Sequence, residues 1–138
     1  MATTTRAKPP APTRTRYEDD LYTWVEEQVA LLRAGKVSEI DAANIAEELG
    51  DVGKSERRAL ESAIAILTMH LLKWDHQPKR RTLSWQATVD EQRAQVGRAL
   101  EENPGLKSKL SKSIEEGYAS GRRGAVAEIG RASCRERV

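Results

Sequence analysis

Apolar residues recur along this chain at three- and four-residue steps between charged and polar positions, a spacing that predicts helices almost throughout. The pattern is sharpest over residues 54–76, KSERRALESAIAILTMHLLKWDH. At ~100° per residue, Leu60, Ala63, Ile64, Leu67, Leu71 and Trp74 fall on one face, and Ile66 and Leu72 widen it. This is the expected central helix, covered by others on most sides. Upstream, Leu21, Trp24, Val25, Gln28, Val29 and Leu32 form the stripe of a first helix that starts at Glu18–Asp20 and stops at Gly35. A short second helix, IDAANIAEELG, follows a capping box at Ser38 and Asp41, and Gly50 and Gly53 allow a bend or a kink before the central helix. Pro78 ends helical geometry after His76. A fourth helix runs from Thr82 or Ser84 to Glu102 with Trp85, Val89, Gln92, Val96 and Leu100 inward. Asn103 and Pro104 then cap and open a fifth, with Leu106, Leu110, Ile114 and Tyr118 spaced by four. The expectation is an all-α, compact bundle of about five helices around the segment 54–76.

Composition changes this picture only at the ends. The first sixteen residues, MATTTRAKPPAPTRTR, hold almost nothing to bury and read as a disordered basic arm. Residues 1–16 carry a charge of +4 and residues 128–138 of +1, so a chain with a formal charge of +2 has a body of −3. The basic character lies outside the expected single helical domain, residues 17–127. The apolar run around Leu67 is about half of what crosses a membrane, and no N-terminal stretch resembles a secretion signal, so a cytoplasmic protein is expected. The single cysteine, Cys134, permits no internal disulfide.

The last residues, EIGRASCRERV, lack amphipathic logic. In one reading frame the common sequencing adapter translates to IGRASCRERV followed by a stop, matching residues 129–138 in full. Native sequence is therefore expected to end at Ala127 or Glu128, which leaves 128–138 as a non-native tail and Cys134 without functional meaning.

Several segments carry a family resemblance: YEDDLYTWVEEQVALLRAGK, NIAEELGDVGKSERRALES, LTMHLLKW, QPKRRTLSWQATVDEQR and the NPGLK break. In this order they resemble the bacterial family catalogued as "domain of unknown function 29", over roughly residues 17–127. The resemblance implies an all-α fold and a bacterial origin, and it assigns no activity.

Candidate chemistry is sparse. GDVGKS imitates the end of a phosphate-binding loop, yet Glu48 stands where that loop needs glycine and no strand precedes it. Gln28 on an inner face needs partners for its amide, and with Glu47 and His70 it makes a possible buried polar site. A histidine and carboxylates on neighbouring helices can hold a metal, but no Glu-x-x-His step is present, so no metal and no cofactor are expected and an enzyme centred on His70 is the third reading. Lys79, Arg80 and Arg81 form the densest basic cluster of the body. With Trp85 and Arg93 they could meet phosphates and bases, which makes a nucleic-acid-associated protein the second reading. The first is an interaction or regulatory module without catalytic activity, binding an unknown protein partner or a second copy, with Met69 and Leu72 pointing away from the main stripe toward that partner.

Overall fold

The computed structural model describes residues 14–135, and among them the fold is all-α, with no strand. Four α-helices carry it: α1 (Leu21–Arg33), α2 (Ala42–His76), α3 (Leu83–Glu102) and α4 (Leu110–Arg135). Single-turn 3-10 segments at Val37–Glu39 and Pro78–Arg80, and a longer one at Pro104–Lys109, join them. Internal contacts divide the chain into a first unit ending at Gly50 and a second beginning at Asp51, a boundary that falls inside α2. Most of the basic arm, residues 1–13, and the tail residues 136–138 lie outside the described residues.

In the first unit α1 is bounded as its sequence dictates. Asp20 caps it, its Oδ1 accepting from the Thr23 amide at 3.0 Å. At the other end Gly35 takes φ +69°, and the Lys36 and Gly35 amides donate to Leu31 and Leu32 carbonyls, both at 3.0 Å. That is a Schellman closure, which wants glycine because its left-handed backbone crowds a Cβ. The capping residue of α2 is Asp41 and not Ser38: Asp41 Oδ1 accepts from the Asn44 amide at 3.3 Å, while Ser38 lies in the preceding 3-10 turn. The end of the arm is also held. Thr15 donates from its amide and hydroxyl to Glu27 (3.0 and 2.8 Å), and Arg14 reaches the Glu39 carboxylate.

The expected second and central helices are one helix, which accounts for four where about five were predicted. Gly50 and Gly53 sit inside α2 with open space around the position of a Cβ. Each costs about 1 kcal/mol of helix propensity against alanine, and the flanking AANIAEEL and KSERRALE are strong enough helix formers to carry the helix through.

In the second unit Leu60, Ala63 and Ile64 of α2 are buried as predicted, with Val89 of α3. The buried residues of α4 are Ser113, Gly117, Gly121 and Ala125, while Ile114 and Tyr118 of the predicted inner face are exposed. The face is turned because its glycines let α4 approach α2 closely. A Cβ built at Gly121 would lie 2.4 Å from the Ala65 carbonyl oxygen, and one at Gly117 would lie 2.6 Å from Ile64 Cγ2. Asn103 does not cap α4. It ends α3, its backbone amide donating to the Ala99 carbonyl, and its side-chain Nδ2 donates to Glu56 of α2 at 3.2 Å.

Candidate functional site

The basic turn between α2 and α3 is built by Pro78, which cannot continue α2, and by Thr82, whose hydroxyl accepts from the Trp85 amide (3.2 Å) and starts α3. The residues between divide their work. Arg81 folds back, donating from Nε to the Trp74 carbonyl at 2.9 Å and placing its guanidinium 5.0 Å from the centre of the Trp74 ring. It thereby closes the end of α2 and covers one face of the tryptophan. Lys79 and Arg80 are exposed and border an open cavity of about 320 Å³ with His76, Gln77, Pro78, Ile129 and Ser133.

Trp85 and Arg93 stand apart from that cavity. Trp85 is half-buried under Lys73, whose ammonium lies 4.5 Å from the ring centre and also donates to Glu128. Lys73 is the one buried charged residue of the described chain, and this three-helix contact satisfies it by an ion pair and a π face together. Sequence reasoning missed it. The available signal was a lysine flanked by Leu72 and Trp74 in an otherwise apolar turn. The Lys73 hydrogen bond holds the Glu128 carboxyl below the usual glutamate range against the opposing effect of burial, and the charges of Lys73, His70 and Arg131 add to it. A depressed carboxylate pKa stabilises the fold above its unfolded value, and that contribution fades as pH falls through the folded one. In Lys73→Met the Glu128 titration, followed by NMR, is expected to move up toward 4.5, its ordinary value.

Arg93 lies in a groove of about 190 Å³ between α2 and α3, with Leu71, Trp74 and Val89 as its apolar wall and Gln86, Asp90 and Arg93 as its polar edge. The predicted binding set is thus spread over three places: Lys79 and Arg80 at the open cavity, Trp85 under Lys73, and Arg93 in the groove with the Arg81-covered Trp74. Met69 faces α4, its Sδ 3.0 Å from where Gly124 would carry a Cβ, and Leu72 is half-buried. The exposed apolar residues of this half of α2 are Ile66 and Leu71.

The possible buried polar site resolves into local contacts. Gln28 is buried and its Oε1 accepts from the Asp41 amide at 2.8 Å; Trp24 Nε1 donates to Asp41 Oδ2 at 3.3 Å. The Asn44 side chain, donating to Asp41 at 2.7 Å, is the main cause of the lowered Asp41 pKa. Gln28 therefore anchors the start of α2. Glu47 is exposed, and His70 donates from Nδ1 to the Ile66 carbonyl of its own helix at 3.0 Å. Among the described residues no three His, Cys, Asp or Glu side chains converge as a metal site would require. Replacing Gln28 by methionine keeps its bulk and strands the Asp41 amide. A loss of about 1–3 kcal/mol is expected in urea unfolding, the cost of an unpaired buried donor.

Comparison with known proteins gives a family without an activity. A family model described as "Domain of unknown function DUF29" matches residues 16–134. No curated protein and no solved structure matches the chain.

Proposed function

The chain belongs to the DUF29 family, whose description assigns no chemistry, and we propose from its surfaces that it is a protein-interaction module of the cytoplasm that works without catalysis. The observation that carries this is the α2–α3 groove. Trp74 is half-buried there, Leu71 is exposed, and Asp90 and Arg93 stand at the edge. At about 190 Å³ it is smaller than the roughly 300–1,000 Å³ of small-molecule sites. It suits one apolar anchor side chain of a protein partner, with a neighbouring carboxylate directed at Arg93. His70 and Lys73, titratable groups of α2, are engaged in structural contacts.

The test is capture from an extract of the source cell by the tagged full-length native gene product, compared with its Leu71→Glu and Arg93→Glu variants. The reading expects a protein retained by the wild type and lost from both variants. Identical capture profiles would overturn it.

A second reading, association with nucleic acid, is favoured by one observation: Lys79 and Arg80 are exposed on one short turn beside exposed His76. Oligonucleotide binding that weakens steeply with salt and is lost in Lys79→Glu/Arg80→Glu would support it. No binding at low salt would rule it out. Among the described residues no helix is long and apolar enough to cross a membrane.

We also propose that residues 129–138 derive from adapter sequence. Resequencing the locus tests this, and genomic DNA that encodes those ten residues would refute it.

A further inference from the structure

We infer that α1 pairs with α1 of a second copy of this chain, antiparallel and about a two-fold axis. The inner stripe of α1 is wide and has two edges. One holds Trp24 and Gln28 against its own unit. The other carries Leu21, Val25 and Leu32, which are 48%, 37% and 47% exposed, with half-buried Val29 between them. At ~100° per residue these four span about 80° of the helix, a continuous strip roughly three turns long.

The order of residues along that strip says what covers it. Read from either end it is nearly the same: Leu21 and Leu32 are the outer positions, Val25 and Val29 the inner ones. A second α1 laid antiparallel sets Leu21 against Leu32 and Val25 against Val29, and the same register repeats the contacts on the other side of the axis, as an isologous interface must. The charges follow the same rule. Exposed Glu18 and Asp19 precede the helix, and exposed Arg33 ends it. Antiparallel pairing brings Asp19 of one copy to Arg33 of the other, twice, and opposes the two helix dipoles favourably. A parallel arrangement would stack acid on acid and base on base.

The size of the strip fixes the strength. A helix of 13 residues is about 20 Å long, too short to give the ~800 Å² per partner of a standard interface. The dimer is therefore reversible and concentration-dependent.

This pairing rests on the interaction-module reading and fails separately from it. It predicts mass, not capture. Sedimentation of the full chain with Cys134→Ser, from about 10 µM to 1 mM, should give a mass rising from monomer toward dimer, within the weak range expected for a small interface. Val25→Glu and Leu32→Glu should hold the chain monomeric throughout, with helix content and the near-ultraviolet signal of Trp24 unchanged. Arg33→Glu should weaken association severalfold, and adding Asp19→Lys in the same chain should restore it. Those positions lie 14 residues apart, about 21 Å along one helix, so rescue reports contact between copies. A cysteine replacing Val25, at the centre of the strip and about 5 Å from its symmetry mate along the helices, should cross-link two copies, whereas one replacing Leu21, about 17 Å from its mate along the helices, should not. A wild-type chain that stays monomeric to 1 mM overturns the inference, as does cross-linking through position 21. If mass stays monomeric while Leu71→Glu abolishes partner capture, only the pairing has failed.

Discussion

Gly121→Ala is expected to destabilise the protein by about 1–3 kcal/mol, although alanine is the best helix former and glycine nearly the worst. Inside a helix the added methyl should gain about 1 kcal/mol. At Gly121 it would lie 2.4 Å from the Ala65 carbonyl oxygen and 2.8 Å from Thr68 Cβ. Both belong to the body of a neighbouring helix, so relief requires α4 and α2 to move apart, and that separation loosens the packing of Ile64 and Ala125 along with it. Gly97 in α3 is the control, with nothing within 4 Å of its built Cβ. Gly97→Ala should therefore stabilise by up to about 1 kcal/mol. Gly124→Ala should be close to neutral, because its nearest neighbour, Met69 Sδ at 3.0 Å, ends a flexible side chain. Urea midpoints of the three variants check the ordering. A stabilised Gly121→Ala would mean that the close approach of α4 is wrong.

The same contact explains where the sequence was readable and where it misled. Hydrophobic periodicity weighs a position by the apolar surface it can bury. That succeeded on the middle of α2, where Leu60, Ala63 and Ile64 supply the surface and are buried, and failed further along it, where Leu71 of the same predicted face and Ile66 beside it are exposed. On α4 it pointed to Leu110, Ile114 and Tyr118, because glycine and serine carry almost no signal. The buried positions, Ser113, Gly117, Gly121 and Ala125, are inward for the opposite reason: having little side chain, they let backbones meet. Only the repeat of small residues at four-residue steps hinted at it.

Local chemistry was legible where one residue determines geometry. Asp20, Gly35, Pro78 and Thr82 start or stop their elements as predicted. It failed where a partner distant in sequence decides. Asn103 reads as an N-cap, yet Glu56, 47 residues away, takes its side-chain amide. Lys79, Arg80 and Arg81 read as one basic cluster, yet Arg81 is bound to Trp74. Trp85 reads first as an inward residue and second as a stacking platform; it is half-buried, and the Lys73 that lies over its ring was not foreseen. Charge clusters and aromatics are visible in a sequence; which cation occupies which ring depends on helix rotation, and no period encodes that.

Trp24→Ala is expected to open the first unit alone. Trp24 is 3% exposed, meets the edge of the Tyr17 ring at 5.0 Å and donates from Nε1 to Asp41, so it links α1 to the start of α2 and to the segment before α1. With Gln28 it makes up the buried set of that unit among the described residues. Truncating a buried tryptophan costs about 3–5 kcal/mol, and a unit with so small a core has little stability in reserve. Hydrogen exchange should show lost protection over residues 21–33 and at Asn44–Leu49, while the amides of Leu60–Leu67 and of α3 keep theirs, because local opening need not spread through a separate contact cluster. Trp24→Phe separates the two roles of the side chain: it keeps most of the burial, gives up the bond to Asp41, and should cost nearer 1 kcal/mol with protection largely retained. If Trp24→Ala instead abolished protection in α3 at the same denaturant concentration as in α1, the two contact clusters would be one cooperative unit. The stability of α1 would then have to come from outside its own small core.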